Sequence, residues 1–163
     1  MNFHTDFPTI QSQVSPEEWQ ARLDLAATYR LVDRYGMADL IYNHITLRIP
    51  GTDHLLINLY GLLYKEITAS NLAKIDLEGN ILWKPDTDYG INRSGFVIHG
   101  CIHEARPDVK CVLRVDESII GGGGGPSQFF PKTVNVVWVF LFFCADGLCD
   151  IFIFGLCDGF IDG

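Results

Sequence analysis

The sequence predicts an α/β domain in which helices are layered against a largely antiparallel sheet. Three observations carry that expectation. A strong helix start at Ser15 opens a long amphipathic stretch. Period-two runs broken by turn residues fill the middle of the chain. Between Asn92 and Asp116 a second helical stretch, a proline stop and a short apolar run follow in order. At 163 residues the chain suits one domain with a substantial core.

Residues 1–14 are polar and irregular and read as a flexible N-terminal arm. In Ser15-Pro16-Glu17-Glu18 the serine takes the cap, the proline sits at the first helical position and Glu18 completes a capping box. Trp19, Leu23, Ala26, Ala27 and Leu31 form the apolar stripe expected to face the core, and Gly36 should end the helix. From Asn43 to Ile49 the pattern switches to period two: Ile45, Leu47 and Ile49 point one way, Thr46 and Arg48 the other. A turn at 50–53 and a second run at 55–59 make an antiparallel hairpin. Gly61 marks a bend or a close backbone approach. Ile67 to Asn71 reads as a short helical turn with Thr68 as its cap. A second hairpin follows, its strands around 73–76 and 81–83 joined at Gly79-Asn80.

Asn92 or Ser94 can cap the next helix, and Pro107 forbids continuation past Arg106. Ile98, Cys101, Ile102 and Ala105, at i, i+3, i+4 and i+7, are expected to form its inner face. Cys111, Val112 and Leu113 suit a covered strand. Beyond Asp116 the composition changes. Five glycines, Gly121 to Gly125, precede Pro126, and Val134 to Ala145 is almost wholly apolar yet too short for a bilayer span. Gly-Leu-Cys-Asp recurs at 147–150 and 155–158, and after Asp116 Lys132 is the sole basic residue against five acids. Either the glycines are a linker leading to a further buried strand, or the tail is foreign to the domain, the product of a shifted reading frame, a misjudged gene end or a disrupted copy. The second is preferred, dividing the chain into an arm at 1–14, a partial domain at 15–116 and a low-complexity tail at 117–163.

Net charge −8 argues against a nucleic-acid or anionic-membrane surface. The first thirteen residues lack the basic and apolar regions of a signal peptide. Five irregularly spaced cysteines suit a reducing compartment, so a cytoplasmic location is expected.

Three separated motifs carry a family resemblance: YRLVDRYGMADLIYNHITLR from Tyr29, YGLLYKEITASNLAKID from Tyr60, and GFVIHGCIHEARPD from Gly95. Together they resemble the class II aldolase/adducin family over roughly residues 17–113. The resemblance implies a three-layer α/β/α sandwich around a largely antiparallel central sheet, here truncated. It implies either zinc-dependent sugar-phosphate aldolase or epimerase activity in a homo-oligomer, or an adducin-like binding role with an actin and cytoskeleton partner. In the aldolases an asparagine, a glycine and serines bind the substrate phosphate; by position these fall on Asn43, Gly61 and Ser94. An amide donor, an approachable backbone and a helix N-terminus are together an anion site. Each also has a plain structural use, as turn residue, bend and helix cap.

The departures matter as much. Where the aldolases carry an acid/base glutamate this chain has Gly95, which can move no proton. The family's His-x-His zinc ligands fall at Arg114 and Asp116, and no histidine follows His103. Arginine cannot ligate a cation and one aspartate makes no zinc site. The resemblance therefore implies no catalytic residue, no metal ligand and no cofactor in this chain as written, although catalytic relatives use Zn. His99 and His103, four apart on one helix, have a metal-compatible spacing, but histidines beside an apolar stripe more often edge a core. His44 is either substrate-facing or an ordinary strand residue. A non-catalytic binding module is the expectation that follows.

Overall fold

A computed structural model describes residues 7–38, 43–116, 136–145 and 148–157, with side chains described only as far as residue 113. The elements in chain order are α1 (Pro16–Arg34), β1 (His44–Arg48), β2 (Leu55–Ile57), β3 (Ala73–Ile75), β4 (Ile81–Trp83), α2 (Arg93–Ala105), β5 (Cys111–Asp116), β6 (Val136–Ala145) and β7 (Leu148–Cys157). The strands form one sheet in the order β4-β3-β2-β1-β5-β6-β7. Every neighbouring pair is antiparallel.

α1 starts as its residues dictate, with Ser15 Oγ accepting from the Glu18 backbone N–H at 3.1 Å. The capping box does not close. Glu18 turns inward instead, one carboxylate oxygen taking Arg22 at 2.9 Å and the other Lys74 at 2.8 Å. Gly36 adopts a φ of +68° just past the last turn, as a helix end requires. The buried face is Ala21, Leu25, Tyr29 and Val32, with Glu18 and Arg22 on the same side. The stripe expected from the sequence is thus rotated. Leu23 and Leu31 are exposed, and Ala26 alone of that set is buried. Two buried polar residues on the inner face moved the phase of the apparent stripe.

The first hairpin forms with Leu47 opposite Leu56 and Arg48 opposite Leu55. β2 stops at Ile57, two residues short of expectation. The second hairpin turns at Gly79, φ +79°, where the Asp76 carboxylate accepts from the Asn80 backbone at 2.7 Å. The helical turn anticipated at 67–71 sits earlier, as a 3-10 turn over Tyr64–Glu66. Thr68–Asn71 is a simple turn in which the Asn71 side chain accepts from the Thr68 N–H. Within the N-terminal stretch, of which residues 7–14 are described, Ile10 is buried and leads into a 3-10 turn at Gln11–Gln13.

The three layers follow from strand β1. Tyr29 of α1 donates its hydroxyl to the Ile45 carbonyl at 2.6 Å on one side of the sheet. On the other, Thr46 and Arg48 reach α2. The architecture is therefore the α/β/α sandwich around an antiparallel sheet. α2 also corrects the sequence reading. Its inner face is Gly95, Phe96, His99, Gly100 and His103, whereas Ile98, Cys101 and Ala105 are exposed and Ile102 is half-buried. Gly100 permits this packing, because an added Cβ would stand 3.1 Å from the Leu77 carbonyl.

Val136–Ala145 and Leu148–Cys157 are strands that extend the sheet beyond β5, with Cys111 opposite Phe142. The five glycines lie outside the described residues. No helix among the described residues is long and apolar enough to cross a membrane.

Candidate functional site

A cleft of about 70 Å³ opens where β1 begins and α2 starts, lined by Asn43, His44, Asn58, Tyr60, Gly61 and Asn92, with Leu62 and Leu63 at its apolar side. Asn43 precedes β1 and is buried. Its amide nitrogen donates to the Met37 carbonyl at 2.8 Å, while its Oδ1 has no hydrogen-bond partner among the described residues. Gly61 has φ +102°, a left-handed conformation that favours glycine, and an added Cβ would meet the Tyr89 ring at 3.4 Å. Asn92 caps α2, its Oδ1 accepting from the Gly95 N–H at 3.1 Å and from the Ser94 hydroxyl at 2.9 Å.

The expected trio is therefore partly gathered. Asn43 and Gly61 line the same cleft, but Ser94 is exposed and joins it only through Asn92. Asn92, not Ser94, is the cap. Asn58 was not singled out by sequence reasoning, because it follows β2 in a stretch that reads as strand. It is fixed by the Tyr29 hydroxyl at 2.9 Å.

Behind the cleft lies a buried imidazole cluster. Thr46 Oγ1 stands 2.8 Å from His99 Nδ1 and 2.9 Å from His103 Nε2, and the His44 and His99 rings lie against each other at a tilt of 33° with centroids 4.2 Å apart. Burial, and then the nearby Arg48 charge, lower the His103 pKa to about 4, against a weaker opposing effect from the Val109 backbone. His103 is accordingly neutral at physiological pH. The cluster was legible in retrospect. Period two puts Thr46 on the face away from Ile45, and i, i+4 spacing puts the two histidines on one side of α2.

Gly95 sits beneath His44. A Cβ built there would come within 2.3 Å of His44 Cε1 and 2.9 Å of both ring nitrogens. The imidazole thus fills the space into which a side chain at position 95 would project.

The cluster does not suit zinc. His99 and His103 converge on a threonine hydroxyl, and no group of three His, Cys, Asp or Glu side chains among the described residues could hold a metal ion. On the backbone, Arg114 lies opposite His44 across the β1–β5 ladder, and an arginine there has no lone pair to offer.

Residues 23–114 match the family model of the class II aldolase and adducin N-terminal domain. The chain belongs to that family. Within it, a Pseudomonas aeruginosa protein named as a class 2 aldolase is 53% identical over 105 residues, covering 64% of this chain and 40% of that protein. Rat alpha-adducin is 48% identical over 95 residues, covering 58% of this chain and 13% of its own length. A solved structure of an aldolase II superfamily protein from Pseudomonas syringae superposes with a TM-score of 0.63 at 49% identity, covering 66% of this chain and 43% of that one. The chain thus spans well under half the length of these relatives.

Proposed function

We propose that this chain is a binding module of the class II aldolase/adducin family and not a catalyst, with the cleft at Asn43, Gly61 and the Asn92–Ser94 helix start receiving a small anionic group. The observation that supports it is the glycine at position 95 under the His44 ring. By resemblance, the aldolases keep their proton-transferring glutamate there. The sequence positions of their zinc ligands, Arg114 and Asp116, argue the same way. Resemblance to the adducin branch suggests an actin-associated cytoskeletal partner, a cytoplasmic location and self-association. The same reading treats residues 117–163 as foreign to the domain.

The test is direct. Purified protein is expected to carry no stoichiometric zinc and to cleave no sugar phosphate with zinc added, while sedimenting with actin filaments. Zinc retained at one ion per chain, or aldol cleavage, would overturn the binding-module reading. Absence from the actin pellet would remove the cytoskeletal partner alone.

A second reading is a zinc-dependent sugar-phosphate aldolase or epimerase whose metal-binding half lies outside this chain. It is favoured by the 40% coverage of the Pseudomonas aeruginosa relative. Against it, the double variant R114H/D116H is expected to show no aldol cleavage, since a third ligand and the carboxylate would still be wanting.

A further inference from the structure

We infer that a groove between α1 and the sheet is the docking site for a short amphipathic helix of a protein partner, with basic residues along one flank. The inference rests on the binding-module reading and gives its macromolecular partner a surface. That surface is separate from the cleft, with which the groove shares no lining residue.

The groove encloses about 770 Å³. Leu47 and Cys111, opposite each other across the β1–β5 ladder, are its floor. One flank of α1, from Glu17 through Ala21 and Asp24 to Thr28, is its wall. Three observations select the occupant.

The first is backbone satisfaction. β1 lies between β2 and β5, and β5 between β1 and β6. An extended peptide laid on that floor would find no sheet edge to join, whereas a helix satisfies its own N–H and C=O groups. The second is extent. From Glu17 to Thr28 the wall advances eleven residues, about 16 Å or three turns at about 1.5 Å per residue. Beyond Thr28 the same flank continues at i+3 and i+7 with Leu31 and Tyr35, which are 51% and 70% exposed. A small apolar molecule in the groove would leave those two side chains in water. A helix lying along α1 covers them as well. Ala21 keeps the wall low, and the Thr28 hydroxyl already donates to the Asp24 carbonyl at 2.8 Å, so the wall suits close helix packing.

The third observation is charge. Glu17 and Asp24 are exposed and seven positions apart, so two carboxylates recur after two turns on one flank. The Arg48 guanidinium does not offset them, since it is held by Asp53 and the His103 carbonyl; Lys110 stands on the far side of the floor. A partner helix with basic residues at i and i+7 on the side toward α1 matches that wall. Exposed pairs of this kind contribute little affinity each, so the apolar stripe provides most of the binding and the charges select the partner.

The experiment uses the whole chain and two labelled helical peptides of about fourteen residues, enough for roughly four turns. Both carry one apolar stripe; one has Lys at i and i+7 on its flank, the other Glu. Fluorescence anisotropy at low salt is expected to show saturable binding of the Lys peptide, about tenfold tighter than the Glu peptide, because two contacts change from attraction to repulsion. E17K/D24K should reverse that order. If the variant fails to fold, amide chemical shifts of Ala21, Leu47 and Cys111 in the unmodified chain decide, and the Lys peptide should move them. Equal affinity for the two peptides, no binding of either, or shifts confined to residues outside the groove overturns the inference. Groove signals that move with protein concentration before any peptide is added give the site to a second copy and also overturn it. None of these results alters zinc content or aldol cleavage, on which the binding-module reading stands or falls separately.

Discussion

At the scale of single residues, burial of His103 sets an acid limit on stability. Its folded-state pKa is lowered to about 4 from 6.5, so the unfolded chain takes up that proton first as pH falls. Its contribution is whole above pH 6.5, shrinks between 6.5 and 4, and is gone below. The size is roughly 3 kcal/mol at about 1.4 kcal/mol per pKa unit. Urea midpoints at pH 7.5, 6 and 4.5 should fall accordingly, and H103Q should flatten that fall. Glu18 acts at lower pH. Burial pushes its carboxyl up, but hydrogen bonds from Lys74 and Arg22 outweigh that and leave it below the usual value. Its protonation therefore adds to the loss only toward the acid end. Thr46→Val removes the hydroxyl between two buried rings and should cost about 3 kcal/mol, measured by urea unfolding at pH 7.5.

Among elements, α1 is held to the sheet region by a polar tie as much as by its apolar face. Arg22 is fully buried, donates to the Ala69 and Leu72 carbonyls at 3.2 and 2.8 Å, pairs with Glu18 and lies over the Trp83 ring. Arg22→Met would leave Glu18 with Lys74 as its remaining cation and strand two carbonyls, and an unfolding loss of about 3 kcal/mol is expected by chemical denaturation. The same residue shows where sequence reading succeeds and fails. Caps, proline stops and glycine turns are local, so Ser15, Asn92, Gly36 and Gly79 could be read from their neighbours alone. Which helix face is buried depends on partners far away in the chain. Arg22, Glu18, His99 and His103 are polar yet inside, and counting them as outward rotated both helical stripes. The outer face of α2 offers a check, since Val97 is 60% exposed. Val97→Ser should change unfolding free energy by less than about 0.5 kcal/mol, as for an ordinary surface site.

For the whole molecule, the layered architecture was legible because helix and strand periods alternate cleanly as far as β5. The cleft was half legible: Asn43 and Gly61 stand where the motifs suggested, whereas Asn58 and Asn92 enter it through tertiary packing. Beyond β5, β6 is almost uniformly apolar, with no polar alternation to distinguish its two faces, and so has weak pattern information. The family match ends at residue 114, next to that change of character. If the tail is foreign, the coding DNA just past codon 113 should show His-x-His in another frame. Intact sequence with no such reading in any frame would refute that origin.

The threonine that bridges His99 and His103 has a single hydrogen to give. Whichever imidazole takes it must be bare at the bonded nitrogen, and the other must bring its own proton. Because one ring is joined through Nδ1 and the other through Nε2, neutral His99 and His103 are obliged to share a tautomer: both Nδ1–H or both Nε2–H. A proton hopping across one ring would have to be matched by a hop across the other, so the pair behaves as a two-position latch whose setting imidazole nitrogen chemical shifts would read.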